Sequence, residues 1–295
     1  MDEKTKEKAL KKLSLMKSRI LFPNWIKSAS DFDNYYSYLN LRDNFLDSML
    51  YKIEGEIKKQ FSVLHQTNNY TKSTIPNWMI PPTLVNAVYI PTENAIVIPA
   101  AIAGIPLFDA DRLKALNYAG IGSVLGHEIT HGFDNEGRKY NEIGSIEDWW
   151  HKETLKEYKK RVKCFVKAYD TYNVTFNNIT LKGDSASTLG EDISDNGGFK
   201  ESLFAYRKYV SENGEEPVLP QFENYTHEQL FTLAFANLWC ETPTEDSESD
   251  FVFSDHSPNG VRTNGVLKNS KEFSEIWKCP KGSNMNPNVE KCSLW

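Results

Sequence analysis

The chain has 295 residues, 40% of them hydrophobic, 25% charged and 13% aromatic, proportions that exclude a globally disordered, collagenous or low-complexity fibrous protein. Its net charge of -6 lacks the basic field that binding to phosphate backbones requires, so no nucleic-acid partner is expected. The length allows a full core in one large or two ordinary domains.

In chain order, Ala9, Leu10, Leu13, Met16, Ile20 and Leu21 recur at helical spacing and predict a first helix that stops at Pro23. Phe45, Leu46, Met49, Leu50, Ile53, Ile57, Phe61 and Leu64 form the apolar side of a second helix, and both read as packing helices with solvated outer faces. Between Ile75 and Pro106 six prolines bracket two β-rich runs, Leu84 to Ile90 and Ala95 to Ile98, joined through Pro91-Thr-Glu-Asn94. That is a strand, turn, strand signature. A long amphipathic segment follows, with Asp109 as its N-cap and Gly132 as its end. Its Gly120, Gly122 and Gly126 cost helix propensity unless something approaches the backbone closely. Further helices are predicted from Ser145 through Tyr169, with Asp148 in a variant capping box, and from near Ser187 to Val210. Two more run from the capping box Thr226-His-Glu-Gln229 to about Cys240 and over Ser270 to Lys278. Glu241 to Asp255 is an acidic loop without a basic residue. The fold class is mainly α with a small β-sheet, an α+β arrangement.

No apolar run is long enough to span a bilayer; the best, Ala95 to Phe108, is short and interrupted by Pro99 and Pro106. The charged start, Met1-Asp-Glu-Lys-Thr-Lys, is not a signal peptide, which leaves a cytosolic protein or a piece of something larger. Cys164, Cys240, Cys279 and Cys292 form no CxxC pair, so disulfides or free thiols are expected rather than a structural zinc. Sequons beginning at Asn69, Asn173, Asn178 and Asn224 lean toward a secretory route.

The chemistry is concentrated in Gly126-His127-Glu128-Ile-Thr-His131-Gly132. On a helix, residues i and i+4 share a face one turn apart, so His127 and His131 can grip one metal ion. Glu128 is rotated by about 100° toward the open metal position, as a general base for water must be. An accidental match on a surface helix is the plain alternative, but the apolar, glycine-rich surroundings favour burial, and two histidines and a glutamate are poor core residues. A third ligand is available in Gly190-Glu191-Asp-Ile-Ser-Asp195-Asn-Gly-Gly198, where Glu191 and Asp195 are again i and i+4. One carboxylate can complete a zinc site while the other fixes a ligand imidazole through its free N–H.

Together with Asn86-Ala-Val-Tyr-Ile-Pro91, Asp255-His-Ser-Pro258 and Cys292-Ser-Leu-Trp295, these motifs resemble, in order, those of the neprilysin family of zinc metallopeptidases. The resemblance implies a thermolysin-like catalytic domain over residues 75–295, with a helical segment, 1–74, leading into it. It implies one zinc ion on His127, His131 and Glu191, Glu128 as the catalytic base, and Asp195 as the hydrogen-bond partner of a ligand histidine. It also implies that His256 stabilises the transition-state oxyanion, that Asn86, Ala87 and Arg262 hold substrate, and that Ile102, Leu107, Val124, Leu238 and Trp239 wall an apolar pocket. The family cleaves short peptides on the amino side of hydrophobic residues, as extracellular ectodomains of membrane proteins. By the same resemblance Cys164 pairs with Cys292, whereas Cys240 and Cys279 pair with cysteines of an N-terminal lobe outside these residues. The alternative expectation is a noncatalytic peptide-binding or structural fragment that lacks that lobe. Where the family usually has Glu-Asn-x-Ala-Asp, this chain has Glu191-Asp-Ile-Ser-Asp195, a departure that keeps both functional carboxylates and is expected to be harmless.

Overall fold

The computed structural model describes residues 1–23, 26–39, 42–62, 64, 80–176, 179–182, 184–242 and 254–294. Helix α1 (Glu3–Ser14) starts where Asp2 accepts the Thr5 N–H. It ends earlier than its apolar spacing predicts, because Lys17–Leu21 forms strand β1 and pairs in parallel with β3 (Ala95–Pro99), from Lys17 opposite Ala95 to Leu21 opposite Pro99. Ile20 and Leu21 fit either period, and the ladder offered by β3 decides for the strand. Strand β2 (Val88–Ile90) returns antiparallel on the other side of β3, through the expected Pro91 to Asn94 turn. The sheet order β1-β3-β2 makes β3 the buried centre and, among the described residues, leaves β2 with an open edge.

Asn94 adopts the left-handed conformation that closes this turn, and its amide donates to the carbonyls of Lys12 and Glu142. Lys12, also buried, donates from Nζ to the carbonyls of Gly132, Gly137 and Tyr140 at 2.7, 2.8 and 2.8 Å. Residues 1–21 therefore share the sheet and the packing of the main domain, across the expected division at residue 74. Helix α2 (Ala29–Tyr35), capped by Ser28, has no counterpart in the sequence reading. Helix α3 (Phe45–Phe61) is where its apolar pattern puts it, but that apolar side is not packed: Phe45 is 80% exposed, and Leu46, Leu50, Ile53 and Ile57 are exposed too.

The segment after Asp109 begins its helix only at α4 (Lys114–Asn117), passes through a π-helical turn (Tyr118–Gly122) and continues as α5 (Ser123–His131). Asp109 is not the N-cap; its carboxylate accepts the Asp111 N–H while Asn117 bonds its backbone. Helix α6 (Lys152–Tyr169) likewise starts late, because the Ser145 carbonyl accepts the Asn141 N–H around a turn at Gly144, with φ of 82°. A hairpin, β4 (Asn173–Phe176) and β5 (Ile179–Lys182), precedes α7 (Leu189–Asn213). The capping box at Thr226 and Gln229 opens α8 (His227–Leu238), which stops before Cys240. Helices α9 (Asn259–Asn269), unanticipated, and α10 (Lys271–Ile276), where expected, complete the described elements.

The main core joins Ala115, Ala119, Phe199, Leu203, Tyr206, Phe231, Phe235 and Val266, so α7 packs on α4, α8 and α9. A second cluster of Phe165, Tyr169, Ile193 and Val261 is closed by the Cys164–Cys292 disulfide, while Cys240 and Cys279 are free. Asn173 and Asn224 are exposed; Asn69, Asn178 and residues 243–253 of the acidic loop lie outside the described residues.

Helices α5 and α7 approach each other backbone to backbone. A Cβ at Gly198 would collide with the Ser123 carbonyl oxygen and sit 2.8 Å from the His127 nitrogen, and one at Gly126 would lie 2.9 Å from the Gly198 Cα. Both obstacles are backbone, which cannot swing aside. Gly198→Ala is expected to lower stability by about 2–3 kcal/mol through overpacking, whereas Gly260→Ala, with open space around its Cβ position, stays within about 1 kcal/mol of the parent. Urea unfolding of the two variants checks this, and equal stabilities would contradict it.

Candidate active site

Because α5 and α7 touch backbone to backbone, side chains one turn along each helix meet. His127, Glu128 and His131 project from α5, and Glu191, Asp192 and Asp195 from the first turns of α7. The two Nε2 atoms of His127 and His131 are 2.9 Å apart. Glu191 Oε2 lies 3.1 Å from His127 Nε2, and Glu191 Oε1 lies 3.4 Å from His131 Nε2. His256, from the loop before α9, brings its Nε2 to 3.0 Å from Glu191 Oε2.

The opposite faces of the imidazoles fix which nitrogen carries the proton. His127 Nδ1 is 2.9 Å from Asp195 Oδ1, and His131 Nδ1 is 2.6 Å from Asp134 Oδ2, so each Nδ1–H donates outward and each Nε2 presents a lone pair inward. Asp195 is held in turn by both Nε and Nη2 of Arg262, each at 2.7 Å, and Asp134 accepts the backbone N–H groups of Glu136 and Gly137. The two carboxylates offered by the sequence thus divide: Glu191 faces the Nε2 pair and Asp195 backs His127.

The centre of this arrangement holds acceptors only. Two imidazole lone pairs and a carboxylate converge, their ligating atoms all within 4.8 Å of one another, and Glu191 Oε2 is buried without a well-formed hydrogen bond. Such a set is balanced by positive charge. In the bare chain that charge would be protons: burial works against protonating His127, but its bonds to Asp195 and Glu191 prevail and raise its pKa to about 9. His131, opposed by burial and favoured by Asp134 and Glu191, is raised to about 10. Burial also disfavours a charged Glu191, yet its imidazole neighbours hold it well below the usual carboxylate range. Asp195 is driven up by burial and down, more strongly, by Arg262, to about 2. Two neutral nitrogens and one carboxylate oxygen are also the donor set that suits a tetrahedral zinc ion. The residues fit the metal.

Glu128 is 4% exposed, and burial pushes its carboxyl upward. It lines a cleft of about 570 Å³ that also holds every other site residue singled out from the sequence. Asn86 and Ala87 lead into the open-edged β2, with Asn86 Oδ1 accepting the Ala87 N–H. Ile102, Leu107, Val124, Leu238 and Trp239 supply apolar wall, joined by Phe235. Arg262 reaches the cleft too, but two of its donors are committed to Asp195 and its guanidinium stacks 3.9 Å from the Trp239 ring centroid.

Sequence reasoning missed Asp134, whose position three residues after His131 was the available signal, and Lys12, which braces the loop around Asp134 from far away in the chain. It also passed over both residues of the departure. Ser194 Oγ lies 3.1 Å from His131 Nδ1, and Asp192 accepts the hydroxyls of Thr188 and Ser257.

Residues 86–293 match the model of peptidase family M13. The chain is 40% identical over 300 residues to Neprilysin-11 of Caenorhabditis elegans, covering 100% of this chain and 34% of that protein. To endothelin-converting enzyme 1 of Homo sapiens it is 38% identical over 297 residues, covering 100% of this chain and 37% of that one. Among solved structures, the zinc metalloprotease Zmp1 of Mycobacterium tuberculosis, in complex with an inhibitor, aligns over 100% of this chain and 44% of its own, with a TM-score of 0.79 and 28% identity. The Haemonchus galactose-containing glycoprotein complex aligns over 99% and 47%, with a TM-score of 0.86 and 30% identity. The chain spans about a third of the length of these two curated relatives. With the family match spanning most of its length and the fold shared throughout, the chain belongs to peptidase family M13, the neprilysin family.

Proposed function

We propose that the chain is the zinc-bearing part of a metalloendopeptidase that hydrolyses short peptides on the amino side of hydrophobic residues. The observation that carries the reading is the convergence of His127, His131 and Glu191 beside a buried Glu128, in one cleft with the open edge of β2. Zinc held by those three residues would polarise the scissile carbonyl and acidify the attacking water.

The chain's own residues do the rest. A peptide laid along β2 extends the sheet, with Asn86 and Ala87 at its entry. The Glu128 carboxylate takes the proton of the attacking water and returns it to the leaving amine, a role suited to a carboxyl whose hold on a proton burial strengthens. His256 Nε2 donates to the oxygen on which negative charge develops. The apolar walls take the side chain that follows the scissile bond.

Two further parts of the proposal concern the whole protein. The Cys164–Cys292 disulfide and the exposed sequons at Asn173 and Asn224 support an oxidising setting, extracellular or at the outer face of the plasma membrane. No described helix is long and apolar enough to cross a membrane. The uncovered side of α3, and a length about a third that of the two relatives, support an N-terminal lobe of a longer protein as the neighbour that covers this face.

Glu128→Gln keeps the shape and removes the base, so kcat should fall about 10²- to 10⁴-fold while zinc content and KM stay near the parent's. A kcat within threefold of the parent would remove Glu128 from that role. In a peptide library, cleavage before Leu, Ile or Phe should exceed cleavage before Asp or Lys by about 10- to 200-fold, the worth of about 1–3 kcal/mol of apolar burial. A preference for the charged residues would refute the pocket assignment.

A further inference from the structure

The His256 ring is left loosely held by its own surroundings. Its side chain is 43% exposed, and among the described residues its only polar neighbour is Glu191. The backbone on either side is what is fixed. The His256 N–H donates to Ser254 Oγ at 3.0 Å, and the next residue, Ser257, is buried and donates its hydroxyl to Asp192 Oδ1 at 2.7 Å. Asp192 is 1% exposed, and its other oxygen accepts the Thr188 hydroxyl at 2.8 Å, so its carboxylate is clamped at the start of α7. Immediately after Ser257, Pro258 leads into α9, whose Arg262 returns to α7 at Asp195.

We propose that Asp192 is a positioning residue: through Ser257 it latches the His256 loop to the helix turn that carries Glu191. Glu191 and Asp192 are consecutive on α7, so the residue facing the two ligand histidines and the residue holding the loop move as one rigid unit. A donor that must meet a developing oxyanion has to be registered against the metal-binding group to a fraction of an ångström, because a misplacement of about 1 Å can cost 10²-fold in rate. The long helix α7 supplies that registration through the Asp192–Ser257 bond. Each oxygen of the buried Asp192 carboxyl thus has a hydroxyl partner, Thr188 on one side and Ser257 on the other.

This inference rests on the peptidase reading, and the test separates the two. In the full-length protein, Asp192→Ala and Ser257→Ala are each expected to lower kcat about 10- to 100-fold, with KM within threefold and zinc content unchanged. The double variant should match either single one, because both remove the same bond. Asp192→Asn, whose amide oxygen can still accept the Ser257 hydroxyl, should recover most of the lost rate. In a His256→Ala background, Asp192→Ala should cost no more than a further twofold. Additive losses, or a full loss on top of His256→Ala, overturn the latch. Hydrogen exchange read by mass spectrometry over residues 254–262 gives a second readout that needs no activity. Exchange should quicken in Asp192→Ala and Ser257→Ala but not in Asp192→Asn, and unchanged exchange in both alanine variants overturns the latch. A zinc-loaded parent that cleaves no peptide would instead refute the proposed function, and the exchange result would still decide whether the loop is held.

Discussion

The approach of α5 to α7 is the constraint on which the site depends. Helix α5 carries two and α7 one of the three side chains that could together hold a metal ion. Gly126 and Gly198 let the backbones meet, and the main core of α4, α7, α8 and α9 holds α7 in place from behind. Helix interiors ordinarily lose about 1 kcal/mol for each glycine. Here that cost is offset by what close contact makes possible: two imidazoles from one helix and a carboxylate from the other within ligand distance of a single point.

Close packing creates an electrostatic problem as well as a site. Three acceptors face one another in a partly dehydrated pocket, an arrangement that only protons or a cation can balance. The surrounding bonds leave the set able to take a cation. Asp195 and Asp134 hold the Nδ1 protons, leaving each Nε2 free to ligate, and Arg262 and two backbone N–H groups neutralise those outer carboxylates in turn. Lys12 extends the support to the loop after α5, which is why the first helix belongs to the same structural unit as the site.

What could be read from the sequence was what depends on local spacing. The i and i+4 pairs placed the histidines and the two carboxylates on their faces, the Thr226 capping box opened α8, and the prolines bounded β2 and β3. What escaped reading depends on partners distant in the chain. Ile20 and Leu21 satisfy a helical period until β3 offers a parallel ladder, and Ser145 resembles a cap until Asn141 claims its carbonyl. Helix α9 begins with Pro258-Asn-Gly, which reads as a turn, and Val261, Val266 and Leu267 are what bury it. The apolar side of α3 was recognised correctly as apolar, but pattern alone does not say what covers it. Asp192 looked like a harmless exchange because its partner, Ser257, is 65 residues away.

The central claim is that His127, His131 and Glu191 together hold one zinc ion, and metal analysis tests it most directly. The parent and Glu191→Ala proteins, each confirmed folded by circular dichroism, are equilibrated at the same limiting free zinc and assayed for bound metal. The account predicts about one zinc per parent chain and little in the variant, since two imidazoles on one helix lack the third ligand of the site. Equal zinc in both, or none in the folded parent, would contradict it.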